Sequence, residues 1–172
     1  LHVESEDSSF VRFNNGAIRQ PGSVQQSYAS IEIHKNQRHS SITLTLTDDE
    51  PLNRSYIEPL IIQQISLLEE LEPDPHFVED PPVTAFEQID RSHTAPSSEA
   101  VGNILEEIHD LDAVGIYANG RIARTYLDSS GSKLHYETNR SHFDFSVYAQ
   151  LDKAVKCSVS GAKWNHDDFR KK

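Results

Sequence analysis

The sequence contains no methionine and a single cysteine, Cys157, among its 172 residues. One cysteine excludes an internal disulfide, and with it the small secreted scaffolds that disulfides hold together. No apolar run is long enough to span a bilayer, and no leader with a charged start and an apolar middle is present. These absences point to a soluble, cytoplasmic chain with no membrane role. Basic residues are few: 16 Lys and Arg stand against 27 Asp and Glu, for a formal charge of -11. That balance opposes the phosphate backbone of nucleic acid, and in the basic tail at 163–172 Asp167 and Asp168 interrupt the lysines and arginine. The 36% of hydrophobic residues suffices for one modest core, in one larger domain or two small lobes. The lack of methionine, the start at Leu1 and the stop after WNHDDFRKK, directly behind a strand-like run, are expected of a fragment of a longer protein.

The most informative stretch is 114–155. It opens on an apolar pair, reaches Ala118-Asn119-Gly120 and returns through Ile122, Thr125, Tyr126 and Leu127. Asn-Gly supplies the positive backbone angles of a tight hairpin, so a turn is expected there. Asp128-Ser129-Ser130-Gly131 marks a second break and Asn139-Arg140 a third, after which Phe143, Phe145 and Val147 alternate with Asp144, Ser146 and Tyr148. The pattern is that of an antiparallel meander with one apolar face, and KAVKCSV extends it or starts a further strand.

Earlier in the chain, residues 1–9 are polar and acidic and are expected to fray. FVRFN, the turn Asn14-Asn15-Gly16 and AIRQPGS form a first hairpin. The alternation at 24–33 and the run SITLTLT form a second one around the turn at 35–38, with Ile42, Leu44 and Leu46 on one face and Thr43, Thr45 and Thr47 on the other. Asp48-Asp49-Glu50-Pro51 then suits a helix start, and Leu52, Tyr56, Leu60, Ile61, Ile65 and Leu68 recur at helical spacing to about Leu71. Pro59 is expected to kink this helix or to separate its first turn. Residues 72–96, with five prolines and many acids, read as a surface connection. Ser97 or Ser98 caps a second helix with Ala100, Val101, Ile104, Leu105 and Ile108 inside and Glu106, Glu107 and Asp110 outside. Strand blocks separated by helices give an α+β fold, antiparallel hairpins and meanders with two main helices packed on the sheet. The lobes are expected at 1–71 and 97–172, joined by 72–96.

The chemical candidates are local. His34 and His39 flank the turn at 35–38 and face each other across a hairpin at about 5 Å between Cβ atoms, a spacing two imidazole metal ligands could use, but a third ligand is missing. Two exposed turn histidines are the simpler account. His135 and His142 lack a carboxylate or cysteine at ligand spacing, and His109 near a helix end suits the helix dipole. Cys157 with His166 is a formal thiol–imidazole pair without an orienting third group, so a packing cysteine is the simpler account. Asp128 with Ser129 and Ser130 reads as turn chemistry. The acidic run at 69–80 lacks the glycine and spacing of a calcium loop. Arg12 and Arg19 flank the first turn and could hold a peptide carboxylate or simply keep a sheet edge soluble.

The phrases FVRFNNGAIRQPGSVQQSY, then GIYANGRIARTYLDSSGSKLHYE, FDFSVYA and DKAVK, occur in an order that resembles the N-terminal half of the TldD/PmbA family, proteins once called modulators of DNA gyrase. The PmbA-type, or TldD-related, branch is the nearer one. The resemblance implies a cytoplasmic, metallopeptidase-related protein whose subunits pair, as a homodimer or with a TldD-type partner, and act on unfolded or modified peptides. The zinc motif of the TldD type, HExxxH, is absent from this sequence, so no catalytic or metal residue carries over. No cofactor is expected in this chain, and zinc would belong to the full-length protein or its partner subunit. The job implied for this half is to frame a substrate cavity and support subunit contacts. A stand-alone, non-catalytic protein-interaction module is the alternative.

Overall fold

The computed structural model describes residues 1–78, 81, 85–90, 97–150 and 153–172. Among these residues the chain forms strands β1 (His2–Asn14), β2 (Ala17–Lys35) and β3 (Arg38–Thr45), helix α1 (Glu50–Leu68), strand β4 (Phe86–Asp90), helix α2 (Ser97–Ile108), strands β5 (Ala113–Leu127), β6 (Lys133–Gln150) and β7 (Lys153–Gly161), and the short helix α3 (His166–Arg170). The strands join in one sheet of order β3-β2-β1-β5-β6-β4, with β7 also paired to β6. The architecture is α+β and mostly antiparallel, as the strand blocks predict.

The two N-terminal hairpins follow from their turns. Asn15 and Gly16 take φ of 50° and 66°, and Asn36 and Gln37 take 53° and 61°, the positive angles that two-residue hairpin turns require. Gly16 is needed on a second count, because a Cβ there would lie 2.3 Å from the carbonyl oxygen of Ile108 at the end of α2. In the second hairpin Ile31 pairs with Ile42 and Ala29 with Leu44, while Ser30 and Thr43 share a 2.9 Å hydrogen bond on the opposite face. The period of two in SITLTLT is therefore the period of burial.

Three expectations about the strands are corrected. Residues 1–9 do not fray: β1 begins at His2, the Leu1 ammonium donates to the Leu127 carbonyl at 2.8 Å, and Glu4 pairs with Arg124 at 3.2 Å. Neighbouring strands thus satisfy a segment too polar to announce itself. Ala118-Asn119-Gly120 is not a turn, since β5 runs straight through it. Asn119 is buried and donates to the Tyr117 hydroxyl, and Gly120 leaves room for β1, where a Cβ would fall 2.3 Å from the Asp7 carbonyl oxygen. Nor does Asn139-Arg140 break the chain, because β6 is continuous from Lys133 to Gln150. The hairpin between β5 and β6 is closed at 128–132, where Asp128 accepts hydrogen bonds from the Ser130 hydroxyl and the Ser132 amide and Gly131 takes φ of 103°. These bonds hold the Asp128 carboxyl well below the ordinary carboxylate range, the Ser130 hydroxyl contributing most.

The helices need smaller corrections. Asp49 caps α1 by accepting from the Leu52 amide at 2.9 Å, and Pro51 sits in the first turn. The helix continues through Pro59 and ends at Leu68. Its inner face is closed by Leu68, and Tyr56 donates to the Thr45 carbonyl at the end of β3, but Leu52 and Ile65, expected inside, are 50% and 47% exposed. In α2, Ser97 is the first helical residue, and Ala100, Ile104 and Ile108 are buried as their spacing predicts. Glu107, expected outside, is half-buried and bonded. The proline-rich connection carries a strand, β4, whose apolar Phe86 and Ile89 are 54% and 39% exposed; residues 79–80, 82–84 and 91–96 of that connection lie outside the described residues.

Two compact units can be distinguished. The first comprises residues 1–5, 26–88 and 123–136, and the second 6–25, 89–122 and 137–172. In the first, Ala29, Ile31, Leu68 and Ala123 are the buried apolar residues among those described. The second holds an aromatic core. Phe143 makes edge contacts with Phe13 and Phe169, with centroids 5.6 and 5.5 Å apart, and stacks on Phe145 at 4.7 Å. Tyr117 meets Trp164 edge-on at 5.5 Å, and Ala100, Ile104 and Ile108 of α2 close the cluster. Burial lifts the Tyr117 phenol above its ordinary pKa, and the Asn119 hydrogen bond only partly opposes this.

Candidate functional site

In the second unit, the side chains of alternate strand residues turn away from α2 and α3. On β6, Phe143 and Phe145 enter the core, so Asp144 and Ser146 face the other way; on β1, Phe13 enters while Arg12 and Asn14 do not. On β5, Ala113 and Tyr117 are buried, leaving Val114 and Ile116 on the open side. These residues, with Arg19 of β2 and Lys156 of β7, line a cleft of about 460 Å³. Gly115 makes the packing beneath it possible, since a Cβ there would lie 2.8 Å from both the Asp144 carbonyl oxygen and the Phe145 Cβ.

The charge of the cleft runs against that of the chain. Its ionisable lining is Arg12, Arg19, Lys156 and Asp144, three cations and one carboxylate. Lys156 and Asp144 neutralise each other at 3.0 Å. The Arg12 guanidinium lies 5.7 Å from the Phe10 ring centroid, and among the described residues neither Arg12 nor Arg19 is in an ion pair. The cleft thus offers two guanidinium groups and the neutral side chains of Asn14 and Ser146 to an anion.

The other residues singled out from the sequence have partners of their own. His34 and His39 pair across the second hairpin as expected, and both rings rest on Phe77, with centroids 5.2 and 5.3 Å away. His39 Nε2 also meets an Asp74 carboxylate oxygen at 3.3 Å. Among the described residues no group of three or more His, Cys, Asp and Glu side chains could hold a metal ion, so zinc has no fitting ligand set there. His135 shares a 2.8 Å hydrogen bond with Thr125, and His142 is exposed opposite Ser160. His109 Nδ1 meets the Glu106 carbonyl at 2.9 Å, and its Nε2 meets Asp110 at 2.9 Å. Cys157 lies opposite Phe145 and packs against the aromatic core.

The partner of His166 is Glu107, at 3.0 Å, and the same carboxylate takes Arg170 Nε at 3.0 Å. One turn earlier on α2, Asn103 accepts from Trp164 Nε1 at 3.1 Å. Sequence reasoning missed this attachment of the C-terminal segment. Its one signal was the spacing of Asn103 and Glu107, which puts both on the same helix face. A depression of about 540 Å³ beside Trp164 and His166 is lined by Lys163, Asp167 and Asp168 among others. Asp168 faces Lys171 at 3.3 Å and His166 faces Glu107 at 3.0 Å.

No protein-family profile and no curated protein sequence matches the chain. Solved structures do. TldE from Thermococcus kodakarensis superposes with a TM-score of 0.64 at 16% identity, over 92% of this chain and 38% of its own. A proposed modulator of DNA gyrase from Bacteroides thetaiotaomicron gives 0.61 at 14%, over 92% and 38%. Another, from Thermotoga maritima, gives 0.58 at 10%, over 92% and 37%. The chain spans little more than a third of the length of each. The resemblance read from its phrases is thus matched in three dimensions: the chain has the fold shared by TldE and these gyrase-modulator proteins of the TldD/PmbA type.

Proposed function

We propose that the chain is the N-terminal domain, non-catalytic or pre-catalytic, of a TldD/PmbA-type protein in a cytoplasmic peptidase assembly that handles unfolded or modified peptides. In this role it frames a substrate cavity and contributes subunit contacts, with a second copy or with a TldD-type subunit. The observation that carries the reading is the match to TldE over 92% of this chain but only 38% of TldE. The lining of the cleft, rich in binding groups and poor in reactive ones, agrees with it. Zinc chemistry belongs on this reading to the rest of the full-length protein or to its partner. Nucleic acid is a poor partner for a chain of formal charge -11.

A stand-alone interaction module is the competing reading, favoured by the position of β3 at the end of the sheet order, where an extended peptide could add a strand. The intact mass and zinc content of the protein purified from its native cell separate the two. A mass well above 19.4 kDa supports the assembly reading, with stoichiometric zinc marking a TldD-type chain and its absence a PmbA-type chain. A mass equal to 19.4 kDa overturns that reading and leaves the module.

A further inference from the structure

We infer that the open-face cleft is a receptor for the C-terminal carboxylate of a peptide, held between Arg12 and Arg19; only the choice of a peptide as carrier rests on the function proposed above. Counting back from the two-residue turn Asn15-Gly16 sets Arg12 across from Arg19 on the neighbouring strand, and both line the cleft. Like charges so opposed sit about 5 Å apart at Cβ and destabilise the pair. A chain with 27 acidic residues leaves both without an ion pair among the described residues, because the one carboxylate of the cleft is taken by Lys156. The lining is therefore complementary to one further negative charge.

A carboxylate fits better than a larger anion. Two guanidinium groups present planar forks that match its two oxygens, and Asn14 and Ser146 add neutral hydrogen-bonding groups beside them. Val114 and the partly exposed Ile116 supply an apolar wall for the side chain that carries the carboxylate. About 460 Å³ is the scale of a small-molecule pocket and suits the last one or two residues of a peptide, not a folded surface.

The test is the binding of a short fluorescein-labelled peptide ending in leucine, as the free acid and as the C-terminal amide, followed by anisotropy on the intact protein. The free acid is expected to bind at least tenfold more tightly than the amide, since charge-assisted hydrogen bonds are lost with the carboxylate. Arg12→Gln and Arg19→Gln should each weaken free-acid binding by about tenfold and bring the two peptides together, whereas Arg54→Gln, exposed on α1 and outside the cleft, should change it by less than about threefold. Without peptide, both arginine variants should melt at or above the parent temperature, because a repulsion is removed. This reports folding independently of binding. Equal binding of acid and amide overturns the proposal, as does unchanged affinity in both arginine variants. Equal competition by inorganic phosphate overturns the assignment to a peptide terminus and leaves a general anion site. A mass of 19.4 kDa in the native cell would remove the assembly reading without touching these titrations.

Discussion

Asn119 donates from its side-chain amide to the Tyr117 hydroxyl at 2.9 Å, two residues along the same strand and on the same buried face. This bond explains why a polar residue with strong turn preference lies in the middle of β5. Replacing Tyr117 with Phe keeps the ring against Trp164 but removes the acceptor, and should cost about 1–3 kcal/mol in urea unfolding. Because burial raises the Tyr117 pKa, the neutral phenol's contribution is whole below the ordinary tyrosine value of about 10 and is lost as pH rises through the folded value. The parent should therefore lose stability above that pH faster than Tyr117→Phe does. Parallel alkaline losses would show that the phenol is not held as described.

Two glycines should respond in opposite directions to alanine. Gly120→Ala forces a Cβ to within 2.3 Å of the Asp7 carbonyl oxygen, a backbone atom, and should destabilise by about 1–3 kcal/mol. Gly102 lies within α2 with nothing inside 4 Å of its would-be Cβ, so Gly102→Ala should stabilise by about 0.5–1 kcal/mol. Thermal melts of the two variants beside the parent decide the matter.

The turn at Asp128 makes a pH prediction. Its carboxyl is held low, so the stabilisation it gives is whole above the unfolded carboxylate value of about 3.9 and fades as pH falls towards the folded one. Asp128→Ala should melt lower than the parent at neutral pH, and the gap should narrow as the solution is acidified below that value. A gap that stays constant into strong acid would mean that the side-chain charge contributes nothing.

The C-terminal segment should be held by packing far more than by charge. Glu107 meets His166 and Arg170 at 3.0 Å, but all three side chains are partly exposed, and such pairs contribute about 0–1 kcal/mol. Phe169 is 5% exposed among Phe143, Phe145 and Trp164, and truncating a buried Phe costs about 3–5 kcal/mol. Denaturant titration of Glu107→Ala and Phe169→Ala should therefore give clearly unequal losses, and equal losses would reverse the ranking.

The same dipeptide shows how far the sequence was legible. Asn15-Gly16 and Asn119-Gly120 carry the same turn chemistry, yet only the first has positive φ angles. What separates them lies across the sheet: the end of α2 beside Gly16, and β1 pressed against Gly120. Local pattern sufficed where residues decide for themselves, as in the strict alternation of SITLTLT and the helical spacing of Ala100, Ile104 and Ile108. It failed for residues 1–9, whose pairing depends on partners such as Arg124 and Leu127. The candidate site was legible in part. Arg12 and Arg19 flank a visible turn, but Asp144 and Lys156 reach the cleft through strand pairing distant in the chain, which no local spacing encodes.

Trp164 is the chain's single tryptophan, and it lies in the second unit against Tyr117 and Phe169. Its emission is therefore a private optical reporter of that unit, silent on the residues of the first. Unfolding followed by tryptophan emission and by far-ultraviolet circular dichroism will coincide if the two units melt as one cooperative block and will diverge if they do not. The placement of one indole thus makes the cooperativity of the whole chain measurable without a label.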